Sequence, residues 1–224
     1  MTLAELKSLV KKGEGRYLEF KKKADHPDKI VREMVAFANS GGGILLLGVD
    51  DSGQLSGLRY PDEEKFVMEA AIAKYAKPSI PFQLSSIPVG QGLFVLLYKI
   101  ENGSEKPYFW LSDKEKQTFR VFVRSADQSI MASREMFQVL KWEKNKTSES
   151  AQPFRLNETE KKMLAHFGEH PSLSMKQLMQ FGNMSARKAS RLLLTWVRQG
   201  VLRIEAGPSE DAYHLAPGFL PSGD

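Results

Sequence analysis

The sequence predicts an α+β chain in two parts. A larger mixed α/β domain covers residues 1–146, a short linker covers 147–154, and a smaller domain of helices and a hairpin covers 155–224. Three observations carry this. Helical and strand periodicities alternate along the first 143 residues. The stretch KNKTSESAQPFRL at 144–156 is polar and contains a proline, as linkers do. Beyond it the pattern changes to three capped helices followed by two short strands.

Taken in order, Leu3, Leu6, Leu9 and Val10 share one face of a first helix, which Gly13 and Gly15 end. Tyr17 to Lys21 alternates, with Leu18 and Phe20 to one side and Glu19 and Lys21 to the other. Ile30, Val31, Met34, Phe37 and Ala38 give a helix over 28–40, stopped by Asn39-Ser40-Gly41. Ile44 to Val49 is apolar at nearly every position and reads as a strand buried on both faces. Asp50-Asp51-Ser52-Gly53 is turn chemistry. A helix over 61–76, strands over 82–89 and 93–100, a strand pair over 108–111 and 118–124, and a helix capped by Ser133 complete the first domain.

In the last segment, Asn157 and Glu160 form a capping box. Ser174 and Ser185 open two further helices, Gly200 ends the third, and strands over 201–205 and 212–215 flank Gly207-Pro208. Three helices and a hairpin in this order are the winged helix-turn-helix pattern.

Composition narrows the partners. The 224 residues include 42% hydrophobic and 26% charged side chains, with no apolar run long enough for a membrane helix and no signal-peptide core. A cytoplasmic protein with no membrane partner is expected. Cysteine is absent, which excludes disulfides and thiolate metal sites. Net charge is +5, which suits a polyanionic partner. The charge is unevenly arranged. Residues 148–224 carry 9 basic and 8 acidic side chains, yet no Asp or Glu occurs from 185 to 204. There Arg187, Lys188, Arg191, Thr195 and Arg198 lie opposite the apolar stripe of the third helix. In a helix-turn-helix that face enters the major groove, where arginine contacts phosphates and guanine edges. Lys21, Lys22 and Lys23 are a second candidate nucleic-acid contact.

The glycines at 41–43 follow a helix and precede a strand, and no lysine follows them. Both nucleotide fingerprints need the reverse order. ATP is therefore not expected, and the glycines read as a left-handed helix cap and a tight turn into a central strand. His166-Phe167-Gly168-Glu169-His170 matches an inverted zinc-protease motif, but Gly168 and the following Pro171 are expected to break the helix which that chemistry needs.

EGRYLEFKKK at 14–23 and VAFANSGGGILLLGVDDSGQLSG at 35–57, closed by VFVRSADQSIMAS at 121–133, resemble the Schlafen AlbA-like domain family, also described as a divergent AAA or DNA-binding domain. The resemblance implies an α/β domain over roughly 1–143. In many bacterial members it also implies a C-terminal helix-turn-helix and a role in transcriptional regulation. In the animal Schlafen proteins two motif glutamates and an aspartate form a metal-dependent RNA-cleaving site. By motif those positions are Glu14, Glu19 and Asp51 here, with magnesium or manganese as the implied cation. Glu14 and Glu19 are five apart and converge only if the chain bends near Gly15. The animal nucleases pair two such domains, an arrangement a homodimer of this chain would rebuild. The expected function is nucleic-acid binding, with duplex DNA ahead of RNA, as a transcriptional regulator. The alternatives are a metal-dependent ribonuclease using the three carboxylates and a protein-interaction scaffold.

Overall fold

The structure is a computed structural model that describes residues 1–113, 118–145 and 157–219. The chain divides into two compact units, Met1–Met131 and Ala132–Asp224. Seven helices and several small sheets occur among the described residues, and none of those helices is long and apolar enough to cross a membrane.

The first unit begins with α1 (Leu3–Val10), capped by a reciprocal Thr2–Glu5 box. Then follow β1 (Leu18–Lys21), α2 (Pro27–Asn39), β2 (Gly43–Leu47) and α3 (Pro61–Tyr75). The remaining strands are β3 (Ala76–Lys77), β4 (Phe82–Gly90), β5 (Leu93–Ile100), β6 (Phe109–Asp113), β7 (Thr118–Arg120), β8 (Phe122–Ser125) and β9 (Gln128–Met131). The main sheet has the order β1-β2-β5-β4. β1 runs parallel to β2, with Glu19 opposite Leu45 and Phe20 opposite Leu46, and the other two pairings are antiparallel. The segment expected as one strand over 118–124 is two, β7 and β8, which pair with β6 and β9 respectively. After the turn at 50–53, Leu55 forms an isolated antiparallel bridge to Val49.

β2 is central and apolar on both sides, as its composition predicts. Leu45 and Leu47 join the core under α2 and α3, whereas Leu46 joins Phe20, Leu18, Leu6 and Val10 under α1. The glycine run makes the turn between α2 and β2. Gly41 and Gly42 have φ of 95° and 87°, and the Gly42 N–H donates to the Phe37 carbonyl at 2.8 Å. A Cβ on Gly42 would lie 2.7 Å from the Ile100 carbonyl oxygen, and one on Gly43 would strike the Phe37 ring. The run is a helix stop and a close approach of backbone.

The second unit contains α4 (Arg134–Lys144), α5 (Glu158–Glu169), β10 (Leu173–Ser174), α6 (Met175–Phe181), α7 (Ala186–Arg198), β11 (Leu202–Glu205) and β12 (Ala212–Leu215). β12 lies between β10 and β11 in a three-stranded antiparallel sheet. The core gathers Met163, Leu164, Leu178, Leu193, Trp196 and Tyr213. The division after Met131 differs from the boundary at residue 146. Sequence order assigns α4 to the first domain because it follows the strands directly, but Val139 of α4 buries in the second core. Glu135 accepts from the Ser190 hydroxyl, and Ser133 both caps α4 and donates to Asp211. The expected linker 147–154 lies outside the described residues.

Candidate nucleic-acid interface

α7 forms because Ala, Leu, Lys and Arg fill it and no breaker occurs before Gly200. Ala189, Leu193, Trp196 and Val197 bury. The helical period therefore turns Arg187, Lys188, Arg191, Thr195 and Arg198 outward, and all five are exposed. None of the four cations has an ion-pair partner among the described residues. Thr195 spends its hydroxyl on the Arg191 carbonyl at 2.9 Å. Lys188, Arg191 and Thr195 share the wall of a concavity of about 700 Å³ with Glu158 and Glu160 of α5. Both acids are already engaged. Glu158 pairs with Lys161 at 3.0 Å, and Glu160 accepts from the Asn157 N–H in the capping box.

The lysine run on β1 is divided by the strand period. Lys21 is half-buried and bonds Glu19 at 2.5 Å, whereas Lys22 and Lys23 are exposed. Lys21 is thus a counter-ion of Glu19 in the folded chain.

The three motif carboxylates separate. Gly13, with φ of 74°, and the bridge between Gly15 and Leu18 bend the chain as the sequence requires. The bend folds Glu14 back so that its carboxylate accepts from the Phe20 N–H at 2.8 Å. Glu14 and Asp51 then line one cavity of about 650 Å³ beside Lys7, Lys11 and Phe20. Glu19 points to the other face of the sheet, because it alternates with Leu18 and Phe20. There it is buried, 3.1 Å from the Arg124 guanidinium. Burial pushes its carboxyl above the usual glutamate value, against the pull of Lys21 and Arg124. Among the described residues no three His, Asp or Glu side chains gather around one point. The set Glu14, Glu19 and Asp51 thus does not fit a shared magnesium or manganese ion, since two cations already hold Glu19 on the far side. Asp50 is turn chemistry, as Asp-rich turns predict. Its carboxylate accepts from the Ser52 hydroxyl and from the Ser52 and Gln54 N–H groups, which holds its pKa below the usual aspartate value.

Two structural residues escape sequence reasoning. Arg124 is fully buried between Glu19 and Glu33, at 3.1 and 3.0 Å, over the Phe37 ring, and it donates to the Gly15 carbonyl. Asn39 accepts from the Tyr108 N–H and donates to the Tyr108 and Phe122 carbonyls. Only the arginine inside VFVRS and the asparagine before the glycines hint at these roles. The protease-like motif differs from expectation in one respect: α5 runs through Gly168 to Glu169. Its histidines are packing groups, with the His166 ring stacked on Phe181 at 4.0 Å and His170 stacked on it at 6.5 Å.

The Schlafen, AlbA_2 family profile matches residues 14–133, more than half of the chain. The chain belongs to the Schlafen, AlbA_2 family. Among solved structures it is similar to the N-terminal domain of a RecG-related protein, named for an ATP-dependent DNA helicase, from Nitrosomonas europaea. Identity is 23% and the TM-score 0.42, over 60% of this chain and 96% of that one. It is also similar to the DIP2311 protein of Corynebacterium diphtheriae, at 15% identity and a TM-score of 0.43, over 90% of this chain and 34% of that one. No curated protein matches the chain.

Proposed function

We propose that this protein binds nucleic acid, duplex DNA in preference to RNA, and acts as a DNA-binding transcriptional regulator. In this reading α5, α6, α7 and the β10-β12-β11 sheet are a winged helix-turn-helix, and α7 is its recognition helix. The observation that carries it is the outward face of α7: four exposed cations at helical spacing, opposite a buried stripe, with no ion-pair partner among the described residues. A helix of this kind, about 10–12 Å across with its side chains, fits a major groove about 12 Å wide, and its charge is opposite to the groove's phosphates. Family membership adds support, since the AlbA_2 domain is linked to DNA binding.

The test is retention of labelled duplex DNA across a salt series, with tRNA and single-stranded DNA in parallel and either EDTA or manganese present. Binding should weaken linearly in log salt. Arg187→Ala/Arg191→Ala should lower the slope by about 2 and the affinity by roughly tenfold or more. Binding indifferent to that pair would remove α7 as the reader. Manganese-dependent cleavage would replace the regulator reading with the nuclease one.

A further inference from the structure

We propose that the outer face of α3 is a docking surface for a second copy of this chain, with the two α3 helices packed antiparallel about a twofold axis. α3 buries only Met68, Ala71 and Ile72, whereas α2 buries nine residues. What α3 turns to solvent mixes charge with apolar surface: Asp62, Glu63, Glu69 and Lys74 are exposed, Glu69 pairs with Lys65 at 3.8 Å, and an apolar strip runs among them. Phe66 is 73% exposed and Val67 is 40% exposed, with Ala70 and Ala73 exposed beside them. Phe66, Val67, Ala70 and Ala73 adjoin at helical spacing, so the exposed phenylalanine belongs to one apolar strip along the helix.

The charge pattern chooses the partner. Positions 63, 67, 70 and 74 follow one line along the helix, at spacings of four, three and four. Glu63 stands at one end and Lys74 at the other, with Val67 and Ala70 between them. The line is self-complementary only when reversed. An antiparallel copy sets Glu63 against the partner's Lys74, twice by symmetry, and Val67 against the partner's Ala70. Phe66, on the flank, then lies over the partner's Ala70 and Ala73, whose small side chains permit close approach. A parallel copy would set like charges together. Neither Glu63 nor Lys74 has an ion-pair partner among the described residues, and Lys74 only overlies the Tyr75 ring at 5.2 Å. The helix dipole favours a glutamate early and a lysine late, but it gives no reason for an exposed Phe66 between them.

The contact is one helix long, about 22 Å, so the dimer is expected to be reversible. Sedimentation equilibrium of the full chain over a concentration series tests it. Wild type should self-associate to a dimer. Phe66→Glu should be monomeric, with an unchanged circular dichroism spectrum because the site is exposed. Glu63→Lys and Lys74→Glu should each raise the dissociation constant roughly tenfold, since each creates two like-charge contacts. The double variant Glu63→Lys/Lys74→Glu should regain the wild-type constant. A wild-type protein that stays monomeric, a dimer indifferent to Phe66→Glu, or a double variant no better than the singles would each overturn the proposal.

Discussion

Arg124 and Asn39 show what single side chains do when burial leaves them no water. Arg124 neutralises two buried carboxylates, Glu19 and Glu33. Arg124→Met should therefore cost about 3 kcal/mol in urea unfolding, because it removes the buried cation that both acids share and leaves them only the more exposed Lys21 and Arg32. The triple replacement with Glu19→Gln and Glu33→Gln should recover most of that loss. Asn39→Ala leaves the Tyr108 N–H and the Tyr108 and Phe122 carbonyls without their partner, at a cost of about 3 kcal/mol. Glu19 also sets a pH dependence. Its pKa is raised by burial, so the folded state holds this proton more tightly than the unfolded chain. The carboxyl therefore favours folding below the unfolded value, and that advantage is lost as pH rises through the folded one. Stability of wild type relative to Glu19→Gln should fall across that acidic window, as read from urea midpoints. None of these residues was legible as structural. The contacts that hold Arg124 and Asn39 between elements reach 69 to 109 positions along the sequence, and no local pattern encodes a contact of that range.

At the scale of elements, local chemistry was read well where it acts locally. The capping box at Asn157, the helix start at Ser174, the glycine stop after α2 and the apolar stripe of α7 all depend on neighbours within a turn or two. Two glycines separate conformation from crowding. Gly92 has φ of 68° with open space around it, whereas Gly42 has φ of 87° and the Ile100 carbonyl 2.7 Å from a would-be Cβ. Gly92→Ala should cost about 1 kcal/mol from backbone conformation alone. Gly42→Ala should cost more than twice that, since the β5 backbone cannot move aside without breaking the sheet; thermal unfolding of both variants checks the difference. The carboxylate site was only half legible. Spacing showed that Glu14 and Glu19 need a bend to meet, and the bend exists, but it delivers Glu14 to the free edge of β1 and not to Glu19's face.

For the molecule as a whole, the assignment of α4 is the decisive departure from sequence order. Chain continuity favours the strands it follows, but a buried Val139 and the bonds Ser133–Asp211 and Glu135–Ser190 tie it to the second unit. A fragment of residues 132–224 should therefore unfold cooperatively, and one starting at 147 should be markedly less stable, as calorimetry of the two would reveal. The first unit carries a different constraint in the Arg124 cluster. A ribosome delivers Glu19 and Glu33 first and Arg124 only 91 residues after Glu33. Until then Glu19 has only Lys21 beside it and Glu33 only Arg32, so β1 and α2 close over their acids with the shared inner cation missing. The N-terminal half thus receives its full set of buried ion pairs only when β8 is made, and one late cation completes the network that joins β1, α2 and β8.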